Sequence, residues 1–148
     1  MTESGGAESS SAESIELFMS IVGYEIVYGR STDSSEPPQP TSSWIQVNMS
    51  TKDAFIEHFG QQKPIKRAIV VFTDRDLEEN RVGNLFFEED FPTAAIFTRL
   101  PYIDFPGFWA ALRLDRVARL GIIVNTGTFD VSTIQFLSQG SLFPLFGI

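Results

Sequence analysis

Asp74 and Asp76 stand two residues apart directly after the apolar run Ala68-Ile-Val-Val-Phe72. Paired carboxylates at the end of a buried strand suit phosphoryl transfer: one Asp attacks phosphorus, both hold Mg²⁺, and the second moves a proton. The supporting parts do not follow, because Glu78 stands where a Thr would contact phosphate and no Lys follows a downstream strand. The simpler reading makes Asp74 a turn cap and the later acids a solvated helix face. Glu88, Glu89 and Asp90 add oxygen ligands of the kind a hard cation takes, without EF-hand spacing. His58 has no Gly-x-Ser-x-Gly elbow to serve as base, and no Gly-rich phosphate cradle is present. No metal, cofactor or catalytic residue is therefore expected, with Asp74 and Asp76 as the enzymatic alternative: a small Mg-dependent phosphoryl-transfer enzyme.

The same stretch supports binding better than catalysis. From Asp74 to Asp90, seven acids and two arginines in 17 residues give a net charge of −5. Phe86 and Phe87 sit among these acids, either as one core anchor with a half-exposed neighbour or as an aromatic hot spot. The expected interface comprises Asp76, Glu78, Glu79, Phe86, Phe87, Glu88, Glu89 and Asp90. A basic protein partner complements that charge and would be steered to it. The whole chain, at −8, argues against nucleic acid and anionic membranes as partners. That global argument weakens when the charge is divided, since residues 1–43 hold −6 and residues 44–148 only −2.

With 148 residues the chain fits one domain, and the lack of Cys removes disulfides, thiol nucleophiles and thiolate zinc sites. Met1 to Ala12 is a Ser, Gly, Ala and Glu stretch expected to be a disordered leader. Its acids do not fit a signal peptide, and the following apolar run, Ile15 to Tyr28, is about 14 residues, short of the roughly 20 that span a bilayer. A reducing cytoplasm is the expected location. Residues 13–148 then form one domain with a Pro/Ser-rich loop at 30–43. Ile15, Phe18, Met19 and Val22 have helical spacing, and Tyr24 to Tyr28 continues as a short strand or as the helix end. Strands are expected at Trp44–Met49, Ala68–Phe72, Ala94–Phe97 and Ile122–Val124. A helix opened by Ser50–Asp53 carries Phe55, Ile56 and Phe59 and stops at Gly60. Another, capped by Asp104, buries Phe105, Phe108, Trp109 and Leu112, with Arg113, Arg116 and Arg119 toward its C-terminal end. Asn125–Gly127 is a turn, and Val131–Gln139 is a last helix with Ile134 and Leu137 inward. The apolar tail, Phe143 to Ile148, is expected to dock on the core. Together these predict an α/β sandwich: a central, mostly buried sheet of about four strands with flanking helices.

Two stretches resemble the N-terminal domain of the SseB, or enhanced serine sensitivity, family. They are Ile69-Val-Val-Phe-Thr-Asp74, and Leu120-Gly-Ile-Ile-Val-Asn-Thr-Gly127 followed by Val131-Ser-Thr-Ile-Gln-Phe-Leu137. The likeness covers roughly residues 44 to 139, with Thr126 where the family usually has Pro. It implies an α/β protein-interaction domain, found in some cases beside secretion or toxin systems, so an immunity-type or secretion-associated adaptor role. No catalytic residues are implied.

Overall fold

The computed structural model describes residues 13–33, 39–74, 81–88, 92–114 and 118–138. β1 (Ser14–Asp33) and β2 (Gln39–Lys52) form a long antiparallel pair. β3 (Phe55–His58) and β4 (Gln61–Thr73) make a hairpin, followed by β5 (Gly83–Phe87) and β6 (Ala94–Pro101). A 3₁₀ turn (Tyr102–Asp104) leads into α1 (Phe105–Leu114), then β7 (Ala118–Asn125) and β8 (Asp130–Ser138) complete the chain order. The sheet runs β2-β1-β7-β8-β5-β6-β4-β3, and a further β2–β4 pairing returns it to its start. Seven strands thus close into a barrel in which only β4–β6 is parallel, and β3 continues β2 beyond a break at Asp53.

The inward rows are apolar. Met19, Val47, Met49, Val70, Phe72, Ile96, Leu120 and Ile122 fill the barrel and are almost fully buried. Their alternation with outward residues such as Gln46, Asn48, Arg99 and Arg119 is the period of two that a half-buried strand requires. The buried hydroxyls are satisfied, Thr51 Oγ1 donating to the Ile65 carbonyl at 2.8 Å and Thr98 Oγ1 to that of Ile69 at 3.3 Å. Aromatic rings close both ends. Phe72 meets Phe105 and Phe108 of α1 at centroid distances of 5.1 and 5.4 Å, and Phe108 meets Phe136 at 5.0 Å. At the other mouth Phe87 stacks on His58 and meets Phe129 edge-on.

The α/β sandwich is overturned by this mostly β fold, in which the described residues form one eight-stranded sheet, seven of its strands closing the barrel, and one short α-helix. Three expected helices are strands. In β1 the row Ile15, Leu17, Met19, Ile21 packs on the core, so the period-two pattern prevails over the helical one that shares Ile15 and Met19. Dense Ile, Val, Phe and Tyr favour that outcome, since β-branched and aromatic side chains lose rotamer freedom in a helix. In the Ser50–Gly60 stretch, Phe59 and Gly60 both take positive φ, 52° and 78°, making the two-residue turn of the β3–β4 hairpin instead of a helix stop. β8 replaces the last helix, with Val131, Ile134 and Phe136 on the core side. The helix bearing Phe105, Phe108, Trp109 and Leu112 is present, and these residues pack on the core. Asp104 lies in the 3₁₀ turn before it, and Arg119 lies on β7 with its guanidinium 5.2 Å from the Phe18 ring. The Asn125 turn also forms: Asn125 Oδ1 accepts from the amides of Gly127 and Thr128 at 2.7 and 3.0 Å. β1 and β2 reach into the stretch read as a loop, pairing Arg30 with Ser43 and Asp33 with Gln39. The leader, Arg116 and the apolar tail lie outside the described residues.

Candidate interaction surface

The acidic segment is only partly placed. Asp76, Glu78, Glu79, Glu89 and Asp90 lie outside the described residues. Glu88 is held by Arg67, whose Nε and Nη2 both donate to its Oε1 at 3.1 and 3.0 Å. Phe87 has its ring face on His58, 3.7 Å between centroids and 10° between planes, so it serves as a core anchor. Phe86, on the opposite side of β5, is half-buried. Asp74 is exposed at the end of β4, and the helix-flanked sheet in which an Asp74–Asp76 pair would be set is replaced by the barrel wall. Among the described residues no three His, Asp or Glu side chains are grouped to hold a metal.

His58 is tuned by its neighbours. Lys63 Nζ donates to its Nδ1 at 3.1 Å and also lies 5.3 Å from the Phe87 ring centre. Burial against Phe87, and then the Lys63 charge, lower the imidazole pKa below its ordinary 6.5. The unfolded chain therefore binds the His58 proton more readily than the folded one, so stability falls as pH drops through 6.5 toward the folded value. Urea unfolding at pH 7.5 and 5.5 should show this loss, and His58→Gln should reduce it. An equal pH response in the variant would remove His58 as its source.

The surface that stands out is on β1. Val22, Tyr24, Ile26, Val27 and Tyr28 are between 37% and 64% exposed, five large apolar side chains within seven residues. β1 pairs with β7 only through Ser14–Ser20. From Ile21 to Arg30 its other edge continues on β2, and among the described residues no strand pairs with the edge it turns away from β2. The geometry follows from the local sequence. A register shift falls between Ile21 and Gly23, and just beyond it Trp109 of α1 meets Tyr24 edge-on at 6.0 Å. Beyond the shift Tyr24, Ile26 and Tyr28 share one face with Met49, Val47 and Ile45, while Glu25, Val27 and Gly29 share the other with Asn48, Gln46 and Trp44.

That second face is ordered by its own contacts. Trp44 lies so close over Gly29 that a Cβ there would collide with the indole. Gln46 donates to Asn48 at 2.8 Å, and Asn48 to Glu25 at 3.2 Å, along a groove of about 480 Å³. The sequence reading, a helix from Ile15 to Val22 with Tyr24 to Tyr28 as a short strand or the helix end, did not single out this exposed row. The available signal was Ile26-Val27-Tyr28, where both parities are apolar although the chain's long β2 partner can cover only one edge. A strand with an exposed apolar row and one edge unpaired among the described residues is a template for strand addition.

No helix among the described residues is long and apolar enough to cross a membrane. Comparison with protein-family models, with curated proteins and with solved structures finds no match for this chain.

Proposed function

We propose that this chain is a non-enzymatic protein-interaction domain, a β-barrel that docks a partner by strand addition along the β1 edge between Ile21 and Arg30. The observation that carries it is the run of five exposed apolar side chains on a strand edge with no strand against it among the described residues. Long, exposed apolar edges template pairing, and proteins ordinarily cover or charge them. Here Glu25 is the sole charge from Val22 to Tyr28. Backbone hydrogen bonds would supply affinity and the Tyr24, Ile26, Tyr28 row the side-chain selectivity. Of the acidic segment, Glu88 and Phe87 are engaged within the molecule, and Asp76, Glu78, Glu79, Glu89 and Asp90 lie outside the described residues.

Site-specific photo-crosslinking tests the assignment. A benzophenone amino acid at Tyr28 should give a discrete protein adduct, whereas the same group at exposed Lys66 should give none. Ile26→Lys should remove the Tyr28 adduct without moving the thermal melt. Equal adducts at both positions, or none at Tyr28, would contradict the docking edge.

A further inference from the structure

We infer that the occupant of the β1 edge is a second copy of this chain, paired antiparallel about a two-fold axis at Val27; this deepens the docking reading above and rests on it. Two-fold pairing of one strand with itself keeps both faces of the sheet continuous only when residues of like parity meet. Centred on Val27, the register sets Ile26 opposite the partner's Tyr28 and Tyr24 opposite the partner's Arg30. The apolar row that shares a face with Met49, Val47 and Ile45 then continues across the junction. Cross-strand aromatic and β-branched pairs of this type stabilise a sheet.

The polar residues agree with this register. Arg30 Nη2 donates to the Tyr28 hydroxyl at 3.2 Å, which lays the guanidinium along the same row, where the partner's Tyr24 ring can receive it. Glu25 falls opposite the partner's Gly29, so no like charge meets it across the junction. Registers centred on Glu25 or on Arg30 would set like charges face to face, which is unfavourable. Five side chains of this size at their observed exposure present on the order of 500 Å² per chain, so two copies have at most about 1,000 Å² of this apolar surface to bury, the lower bound for a specific interface. The hydrogen bonds of an added strand come on top of this.

The chain contains no cysteine, so one introduced thiol reports without background. Under mild oxidation Val27→Cys should form a covalent dimer, because the two sulfurs face each other across the axis. Tyr24→Cys should not, since its copy lies six residues along the strand, about 20 Å away. Sedimentation equilibrium of the unmodified chain at about 100 μM, a concentration at which a micromolar dimer is mostly paired, should give twice the 16.5 kDa of one chain. Ile26→Lys should weaken the dimer about tenfold or more while leaving the melting temperature of the barrel in place. A 16.5 kDa species at that concentration without Val27→Cys cross-linking would overturn the proposal. So would a dimer that cross-links through Tyr24→Cys and not through Val27→Cys. A monomer whose Tyr28 photoprobe still captures a different protein would leave the docking edge standing and remove only the self-pairing; loss of both would remove both.

Discussion

Phe72→Ala should lower stability by about 4 kcal/mol, near the upper range for a large-to-small change in a core. Phe72 is 0% exposed and is the inward residue at the end of β4. Its ring is the floor on which α1 sits, in edge contact with both Phe105 and Phe108, and Phe108 in turn reaches Phe136 on β8. Truncation removes the buried ring's transfer energy and leaves a cavity between two rigid elements, a barrel wall and a helix, that cannot both move in to fill it. Phe72→Leu, which keeps most of the volume, should cost less than about 2 kcal/mol. Urea unfolding of the two variants checks the pair. Equal losses, or a loss under about 1 kcal/mol for the alanine, would mean that α1 does not depend on this contact.

Gly83→Ala should cost about 3 kcal/mol, a large effect for one added methyl. Gly83 is paired on both sides, with Thr98 of β6 and Val131 of β8, and is thus a link in the ring of strands. A Cβ there would overlap the carbonyl oxygen of Phe97 and the Cα of Thr98, backbone atoms that cannot rotate away as a side-chain tip can. Relief requires β5 to part from β6, in a stretch also tied by the 2.8 Å Arg81–Asp130 ion pair and by the Leu85 amide's 2.8 Å hydrogen bond to the Phe129 carbonyl. Gly121→Ala is the internal comparison. Its nearest neighbours are the tips of Gln135 and Phe18 at 3.0 Å, side chains able to yield, so its cost should be smaller. A Gly121 variant less stable than the Gly83 variant would contradict this view of where the barrel is closed.

Much of the wall was legible in the sequence where apolar runs are short and rich in β-branched residues. Ala68–Phe72, Ala94–Phe97 and Ile122–Val124 are strands, and the Trp44–Met49 alternation places Val47 and Met49 inside the barrel. The helix at Phe105–Leu114 was legible because Pro106 suits a first turn and the apolar residues recur at helical spacing. What misled is specific. Ile15 and Met19 belong to both a four-residue and a two-residue repeat, and over so short a run the two cannot be separated. The Phe59–Gly60 turn hides its hairpin because the usual first residue is Asn, Asp or Gly, and a Phe at positive φ that is 91% exposed carries no such signal. Barrel closure depends on β2 meeting β4 and β7 meeting β1, contacts far apart in sequence that local periodicity does not encode. The candidate surface was hidden for a related reason: an apolar residue on a free edge looks, in sequence, the same as one in the core.

Amide hydrogen exchange along β1, resolved residue by residue, addresses the docking edge most directly. In an antiparallel pair every second amide points away from its partner strand, so from Tyr24 to Arg30 alternate amides should exchange rapidly at about 1 μM chain, while those directed at β2 stay protected. Raising the concentration to about 100 μM should protect the fast set and erase the alternation, with β4 and β7 unchanged as internal standards. Uniform protection from Tyr24 to Arg30 in the dilute sample would show the edge already covered, and rapid exchange of the fast set at both concentrations would show that no second copy pairs there; either result contradicts the proposed assembly.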